Sequence, residues 1–155
     1  MMNEITNQAR EFLTAIFNGA NLDLRVTEGQ TEIGCLFNID GNDASLLLNE
    51  GGELLDAVQH IANQAFGRDL PKDERIVCDV ENFRATREAE LRAMARHAAE
   101  SVRKTSNPFN FGPMNSNERR VIHLALSVED DVQTESVGEG AARRLRVSVK
   151  NSSSH

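Results

Sequence analysis

Hydrophobic positions recur along the first half of the chain with two distinct periods. Ile5, Ala9, Phe12, Leu13, Ile16 and Phe17 return at three- and four-residue steps and predict a helix over 4–18, with Gly19 as its stop. Leu22-Asp23-Leu24-Arg25-Val26-Thr27 alternates strictly, the pattern of a half-buried strand, and Glu28-Gly29-Gln30 follows as a turn. A second strand is expected over 32–39, so the two form a hairpin, closed by a further turn at Asp40-Gly41-Asn42-Asp43. Ala44 to Leu48 is a short apolar element that ends at Asn49-Glu50-Gly51-Gly52. Beyond it Leu54, Leu55, Val58, Ile61, Ala62, Ala65 and Phe66 make a helical stripe closed by Gly67. After a polar loop over 69–74, residues 75–80 read as a third strand.

The second half begins with a long helix, Phe83 to about Lys104, with Leu91, Met94, Ala95, Ala98 and Val102 inward. Thr105 to Asn117 breaks the pattern with Pro108, Gly112 and Pro113 and marks a boundary between subdomains. A short helix over 117–126 follows, with Ser116 as its expected cap. Two strands, 132–137 and 144–149, are joined through Gly138-Glu139-Gly140, and 151–155 is expected to be a disordered tail. The order helix, strand, strand, helix, strand, helix describes a small α+β domain, with a basic helix and hairpin appended.

Charge divides the chain in the same place. Residues 1–82 hold 15 acids against 5 bases, a balance of −10, whereas 83–155 hold 9 acids against 12 bases, a balance of +3. The net charge of −7 argues against indiscriminate binding to nucleic acid, because affinity for a polyanion comes largely from phosphate neutralisation. Any nucleic-acid contact should therefore be local and made by the second half. No stretch approaches the roughly 18 apolar residues of a membrane span, so no membrane insertion is expected. The start, Met1 to Gln8, has acid and amide where a signal peptide needs basic and then apolar residues, which predicts a cytoplasmic chain. Cys35 and Cys78 lie in apolar runs without a C-x-x-C, as buried free thiols of a reducing compartment do. Metal and cofactor sites are not expected.

Few residues suggest chemistry. His60 and His97 sit mid-helix without companion ligands, and Glu129-Asp130-Asp131 matches no catalytic or metal-binding spacing. No Walker loop, nucleophile elbow or H-E-x-x-H occurs, so a non-catalytic protein is expected; an enzyme acting on nucleic acid would need paired carboxylates in a recognisable motif. Arg119 and His123 are more informative. Four residues apart, they share one helix face, with Arg120 beside it. A guanidinium with five fixed donors suits a phosphate, and an imidazole can donate to phosphate or stack on a base. The same spacing also occurs on an ordinary exposed helix face.

The surroundings of that pair sharpen the reading. Pro113-Met114, then Glu118-Arg119-Arg120-x-x-His123, then Thr134-x-Ser136-x-Gly138-Glu139-Gly140, and finally the Arg-rich strand from Arg143 resemble, in that order, the R-3-H domain. That family is a single-stranded nucleic-acid-binding module named for its Arg-x-x-x-His signature. The resemblance covers about 106–150 and implicates Arg119 and His123, with Arg120, Ser136, Gly138 and Arg144 as neighbours. Turn chemistry alone would also account for Thr134, Ser136 and Gly138.

Asp79 to Glu88, leading into Leu91 and Ala95, is similar to the last strand and connecting helix of the Jag family (SpoIIIJ-associated, also called KhpB or EloR). The family joins a type II KH domain to an R-3-H domain. The resemblance implies a KH-like domain over 1–82, a connecting helix over 83–105 and an R-3-H domain over 106–150, with no room for the additional N-terminal Jag domain of longer members. The KH loop falls at Asn49-Glu50-Gly51-Gly52 and departs from the family's Gly-x-x-Gly. Asn tolerates a left-handed backbone, which would let the turn survive. Glu50 and Glu53, however, put the wrong charge beside a phosphate path, with a repulsion of about 1 kcal/mol for a close, solvent-screened pair. The expectation is a KH fold kept for scaffolding or dimerisation, with binding carried by the R-3-H domain. The resemblance implies a cytoplasmic regulator of cell elongation and envelope synthesis that binds single-stranded RNA, with single-stranded DNA as an alternative ligand. A small KH-domain protein, or a second copy, is the implied protein partner. The competing expectation is an interaction adaptor whose acidic KH domain holds a partner and binds little RNA.

Overall fold

The computed structural model describes residues 2–32 and 34–150, so the expected tail over 151–155 lies outside the described residues. The chain forms two compact units, one ending at Arg84 and the other beginning at Ala85. Each is an α+β assembly around its own three-stranded sheet. No helix among the described residues is long and apolar enough to cross a membrane.

In the first unit, α1 (Met2–Gly19) precedes β1 (Arg25–Thr31), β2 (Gly34–Asp40), α2 (Ala44–Phe66) and β3 (Arg75–Asp79). The sheet order is β1-β2-β3, with β1 and β2 antiparallel and β2 and β3 parallel. Cys35, Phe37 and Ile39 alternate on the buried face of β2 and join Leu13 and Phe17 of α1 and Leu55 and Ala62 of α2 in one core. The hairpin forms as expected, but its turn is displaced. β1 runs on through Glu28, Gly29 and Gln30, because Gly29 keeps its ladder pairing with Leu36 and the strand ends only at Thr31. Leu22 and Leu24 instead cover the core from the connection ahead of the strand.

The outer edge of β3 is closed by amide side chains of α2. Asn63 donates from Nδ2 to the Ile76 carbonyl at 2.8 Å and accepts from the Ile76 N–H at 2.9 Å, while Gln59 accepts from the Cys78 N–H at 3.0 Å. These side chains take up donors and acceptors that an open strand edge would leave for another chain. Both cysteines are buried free thiols. Burial raises the Cys35 thiol and pushes Cys78 up to about 12.

In the second unit, α3 (Phe83–Thr105, its first two residues in the first unit) is followed by β4 (Phe109–Asn110), α4 (Ser116–Leu126), β5 (Val132–Val137) and β6 (Arg144–Val149). The sheet is antiparallel in the order β4-β6-β5. Leu91, Ala95, Ala98 and Val102 of α3 are buried with Ile122, Leu126, Leu145 and Val147, so the helix expected as a connector supplies one wall of this core. Met94 does not join them. It lies at the margin of the stripe and is 37% exposed. The Pro-containing segment belongs to the same unit: β4 pairs with β6, and the Phe111 N–H donates to the Leu145 carbonyl at 3.0 Å.

Candidate nucleic-acid interface

Helix α4 is set by its first turn. Its cap is Asn115, not the expected Ser116. The Asn115 Oδ1 accepts from the Glu118 N–H at 2.9 Å, and Ser116 is the first helical residue. Asparagine serves as well as serine at a cap, and its extended backbone (φ −71, ψ 167) suits the turn out of Pro113-Met114. Glu118 is buried and receives the Arg87 Nε–H at 2.7 Å, which ties this turn to α3.

That anchoring sends Arg119 and His123 out along one face. Arg119 donates from Nη1 to the Met114 carbonyl, so the Pro-Met segment fixes the guanidinium from below. The Nδ1 of His123 shares a hydrogen bond with Thr134 Oγ1 on β5. Among the described residues the His123 Nε2 has no hydrogen-bond partner, which leaves it for a ligand. Ser116, Arg119, Arg120 and His123 of α4 face Thr134, Glu135 and Ser136 of β5 across a cleft of about 380 Å³, with Arg143 and Leu145 completing it. The structure thus brings Arg119, Arg120, His123 and Ser136 together.

Gly138 and Arg144 do not line that cleft. Arg144 stands opposite Val137, whereas Ser136 stands opposite Leu145, so Arg144 and Ser136 lie on different faces of the sheet. Arg143 occupies the cleft in its place. Its Nη1 donates to the Gly138 carbonyl at 3.0 Å, which gives Gly138 an indirect part. Gly138 has φ +86, and a Cβ there would stand 3.1 Å from the Ala142 carbonyl oxygen, so the turn that holds Arg143 favours a glycine. The signal for Arg143 was its parity. It shares the even spacing of buried Leu145 and Val147, and Arg144 does not.

The loop Asn49-Glu50-Gly51-Gly52 interrupts α2 in the first unit. Asn49 is extended (φ −61, ψ 147), and the left-handed turn expected of it is taken by Glu50 (φ 54, ψ 48), Gly51 and Gly52. Gly52 is buried against Phe83, whose ring would lie 2.8 Å from an added Cβ. This contact fixes where the glycine must fall, and Glu50 accepts a conformation that costs a side-chain-bearing residue about 1–2 kcal/mol. Glu50 and Glu53 share a hydrogen bond, which together with their like charge pushes the Glu53 carboxyl above its ordinary value.

Comparison with known proteins matches the R-3-H domain to residues 89–149, a span that contains the whole cleft. The RNA-binding protein KhpB of Clostridium symbiosum is 32% identical over 148 residues, covering 94% of this chain and 67% of that protein. KhpB of Bacillus subtilis (strain 168) is 31% identical over 145 residues, 92% of this chain and 70% of its own length. KhpB of Lactiplantibacillus plantarum is 28% identical over 142 residues, 90% of this chain and 44% of that protein. With nearly the full chain aligned to relatives above 30% identity and the R-3-H segment matched in place, this chain belongs to the Jag/KhpB family.

Proposed function

We propose that the protein binds single-stranded RNA, without catalysis, in the cleft between α4 and β5. The observation that carries this reading is the convergence of Arg119, Arg120 and Arg143 around an imidazole whose Nδ1 is already engaged by Thr134. Three guanidiniums around a concave site suit successive phosphates, and the open edge of His123 suits a phosphate oxygen or a base. Relatives named RNA-binding proteins support the same reading.

In this reading the first unit is a type II KH-like domain. Its order α1-β1-β2-α2-β3, the parallel pairing of β2 with β3 and the break within α2 support the assignment. Its loop carries Glu50 and Glu53, so the cleft of the second unit does most of the binding. The test is fluorescence anisotropy of a labelled single-stranded RNA with wild type and Arg119→Ala/His123→Ala. Salt-sensitive binding that collapses in the double variant is expected. A wild type that fails to bind at low salt overturns the reading.

One observation favours a second role beside it. Leu54 and Ile61 are each 44% exposed on the same helix, next to the acidic loop, as a protein-binding face requires. If Leu54→Asp abolishes capture of a protein partner and leaves RNA affinity unchanged, the adaptor role is the correct one for this unit.

A further inference from the structure

Strand β5 is an outer strand of its sheet, since the order is β4-β6-β5. One bond at its start fixes the phase of its ladder. The Lys150 N–H donates to the Asp131 carbonyl at 2.9 Å, one step beyond the pairing of Val132 with Val149. Bonded and non-bonded pairs alternate along an antiparallel ladder. Glu135 with Arg146 is therefore a bonded pair, whereas Thr134 with Val147 and Ser136 with Leu145 are not. The far side of β6 agrees, because the Leu145 carbonyl accepts from Phe111 on the β4 side. Thr134 and Ser136 consequently turn their main-chain N–H and C=O groups outward, away from the sheet.

That open edge faces the basic cleft. Consecutive strand side chains point to opposite faces, yet Thr134, Glu135 and Ser136 all line the cleft. The Glu135 carboxylate is drawn to the outer face, 3.7 Å from Arg146 Nη1, so what Glu135 lends to the cleft is main chain. Among the described residues nothing bonds the outward N–H or C=O of Thr134 or Ser136. In the first unit Asn63 and Gln59 close the edge of β3. Here the edge stays open, among Arg119, Arg120 and Arg143.

We propose that this edge holds a nucleobase, with the main-chain N–H and C=O of the exposed Ser136 paired to an acceptor and a donor on the base's Watson–Crick edge. The proposal rests on the RNA-binding reading above and adds which part of the nucleotide meets β5. A phosphate cannot fill the edge alone. It accepts from the N–H but has no proton for the carbonyl, and its negative charge faces that oxygen unfavourably. A base carries donors and acceptors side by side, and unstacked bases of a single strand present them freely. Another β-strand would also match an open edge, but three guanidiniums around it select a polyanion. Each of the four bases offers a donor beside an acceptor, so the edge requires a base more than it chooses one.

Proline tests the N–H by itself. On an edge strand with its N–H turned out of the sheet, proline leaves the ladder whole. Ser136→Pro removes the N–H and the hydroxyl, and Ser136→Ala removes the hydroxyl only, so their difference reads the N–H. Anisotropy titrations of a labelled single-stranded RNA should show Ser136→Pro binding about fivefold or more weaker than Ser136→Ala. Its salt slope should match wild type, since no phosphate contact is lost. In wild type, the same RNA with abasic central nucleotides should bind about tenfold more weakly. That abasic penalty should shrink in Ser136→Pro, because the group that meets the base is gone. Circular dichroism checks that the proline variant folds, and the abasic comparison in wild type needs no variant. Equal binding of intact and abasic RNA by wild type leaves the RNA in the cleft through its phosphates and overturns this proposal alone. An abasic penalty undiminished in Ser136→Pro assigns the base to His123 and overturns it too, as does a loss seen only on 2′-deoxy substitution, which places the sugar on the edge. Wild type that binds no RNA at low salt removes the cleft reading itself, and this proposal with it.

Discussion

Arg87 and Glu118 form a hydrogen-bonded ion pair, 2.7 Å from Nε to Oε2, in which the carboxylate is almost fully buried at the first turn of α4. Arg87 also donates to Glu90 at 3.0 Å. Burial works to lower the Arg87 pKa, but the hydrogen bonds to Glu118 and Glu90 outweigh it and hold the guanidinium more firmly charged. The pair therefore locates the helix that carries Arg119 and His123.

Arg87→Met would leave the Glu118 carboxylate buried without its cation. A fully buried broken pair costs about 3–5 kcal/mol, and partial exposure of Arg87 reduces the expected loss to about 2 kcal/mol. Urea unfolding should show the midpoint falling by that amount, and Arg87→Met/Glu118→Met should recover most of it. A loss under about 0.5 kcal/mol would mean that solvent replaces the pair without penalty.

The cap gives a sharper local test. Asn115→Ala removes the acceptor for the Glu118 N–H and should destabilise the second unit by about 1 kcal/mol, while Ser116→Ala should be close to neutral. Thermal unfolding of the two variants separates them. Equal effects would return the capping role to Ser116.

Much of the fold follows from periods that a single strand or helix carries by itself. Leu145 and Val147 alternate, Leu91, Ala95, Ala98 and Val102 recur helically, and both sets are buried as their spacing requires. What escaped that reading depends on contacts distant in sequence. A two-residue strand such as β4 has no period, and it exists because β6 pairs with it. Gly29 reads as a turn until Leu36 is known to lie opposite. In the site, Arg119 and His123 are legible from their four-residue spacing. The Thr134 hydroxyl that engages His123 emerges only when β5 is in place.

The break in α2 predicts a steric conflict. Gly52→Ala places a methyl group 2.8 Å from the Phe83 ring at φ +84, which should destabilise the first unit by about 2 kcal/mol. Adding Phe83→Leu should return the part due to the clash and leave the part due to the backbone. If Gly52→Ala alone is neutral in urea unfolding, the ring is free to move aside and the left-handed turn is not under constraint.

Cys78 ties stability to alkaline pH. Burial raises its thiol first, with smaller contributions from Cys35 and Asp79, and Arg84 pulls the other way; the result is about 12 against an ordinary 9.0. Between those values the unfolded chain releases a proton that the native chain retains, so stability falls as pH rises. At pH 10 the loss should be about 1.4 kcal/mol, with Cys35 adding in the same sense. Urea midpoints at pH 8 and pH 10 measure it, and Cys78→Ala should flatten the dependence. An equally steep fall in that variant would assign the effect to other groups.

The two neighbouring arginines ahead of Leu145 offer the most direct test of the cleft. Arg143 lines it, held by the Gly138 carbonyl, while Arg144 stands on the opposite sheet face and lends its Nε–H to the Ala142 carbonyl at 3.5 Å. If Arg143 contacts a phosphate of bound RNA, Arg143→Gln should weaken affinity and flatten the slope of log K against log salt by about 0.7, the share of one phosphate contact on a single strand. Arg144→Gln keeps the same sequence charge as that variant and should leave the slope unchanged, so general electrostatic attraction cannot imitate the result. Anisotropy titrations at four salt concentrations read both slopes. A flattened slope in Arg144→Gln with an unchanged one in Arg143→Gln would place the RNA on the other face of the sheet and remove the cleft from the binding path.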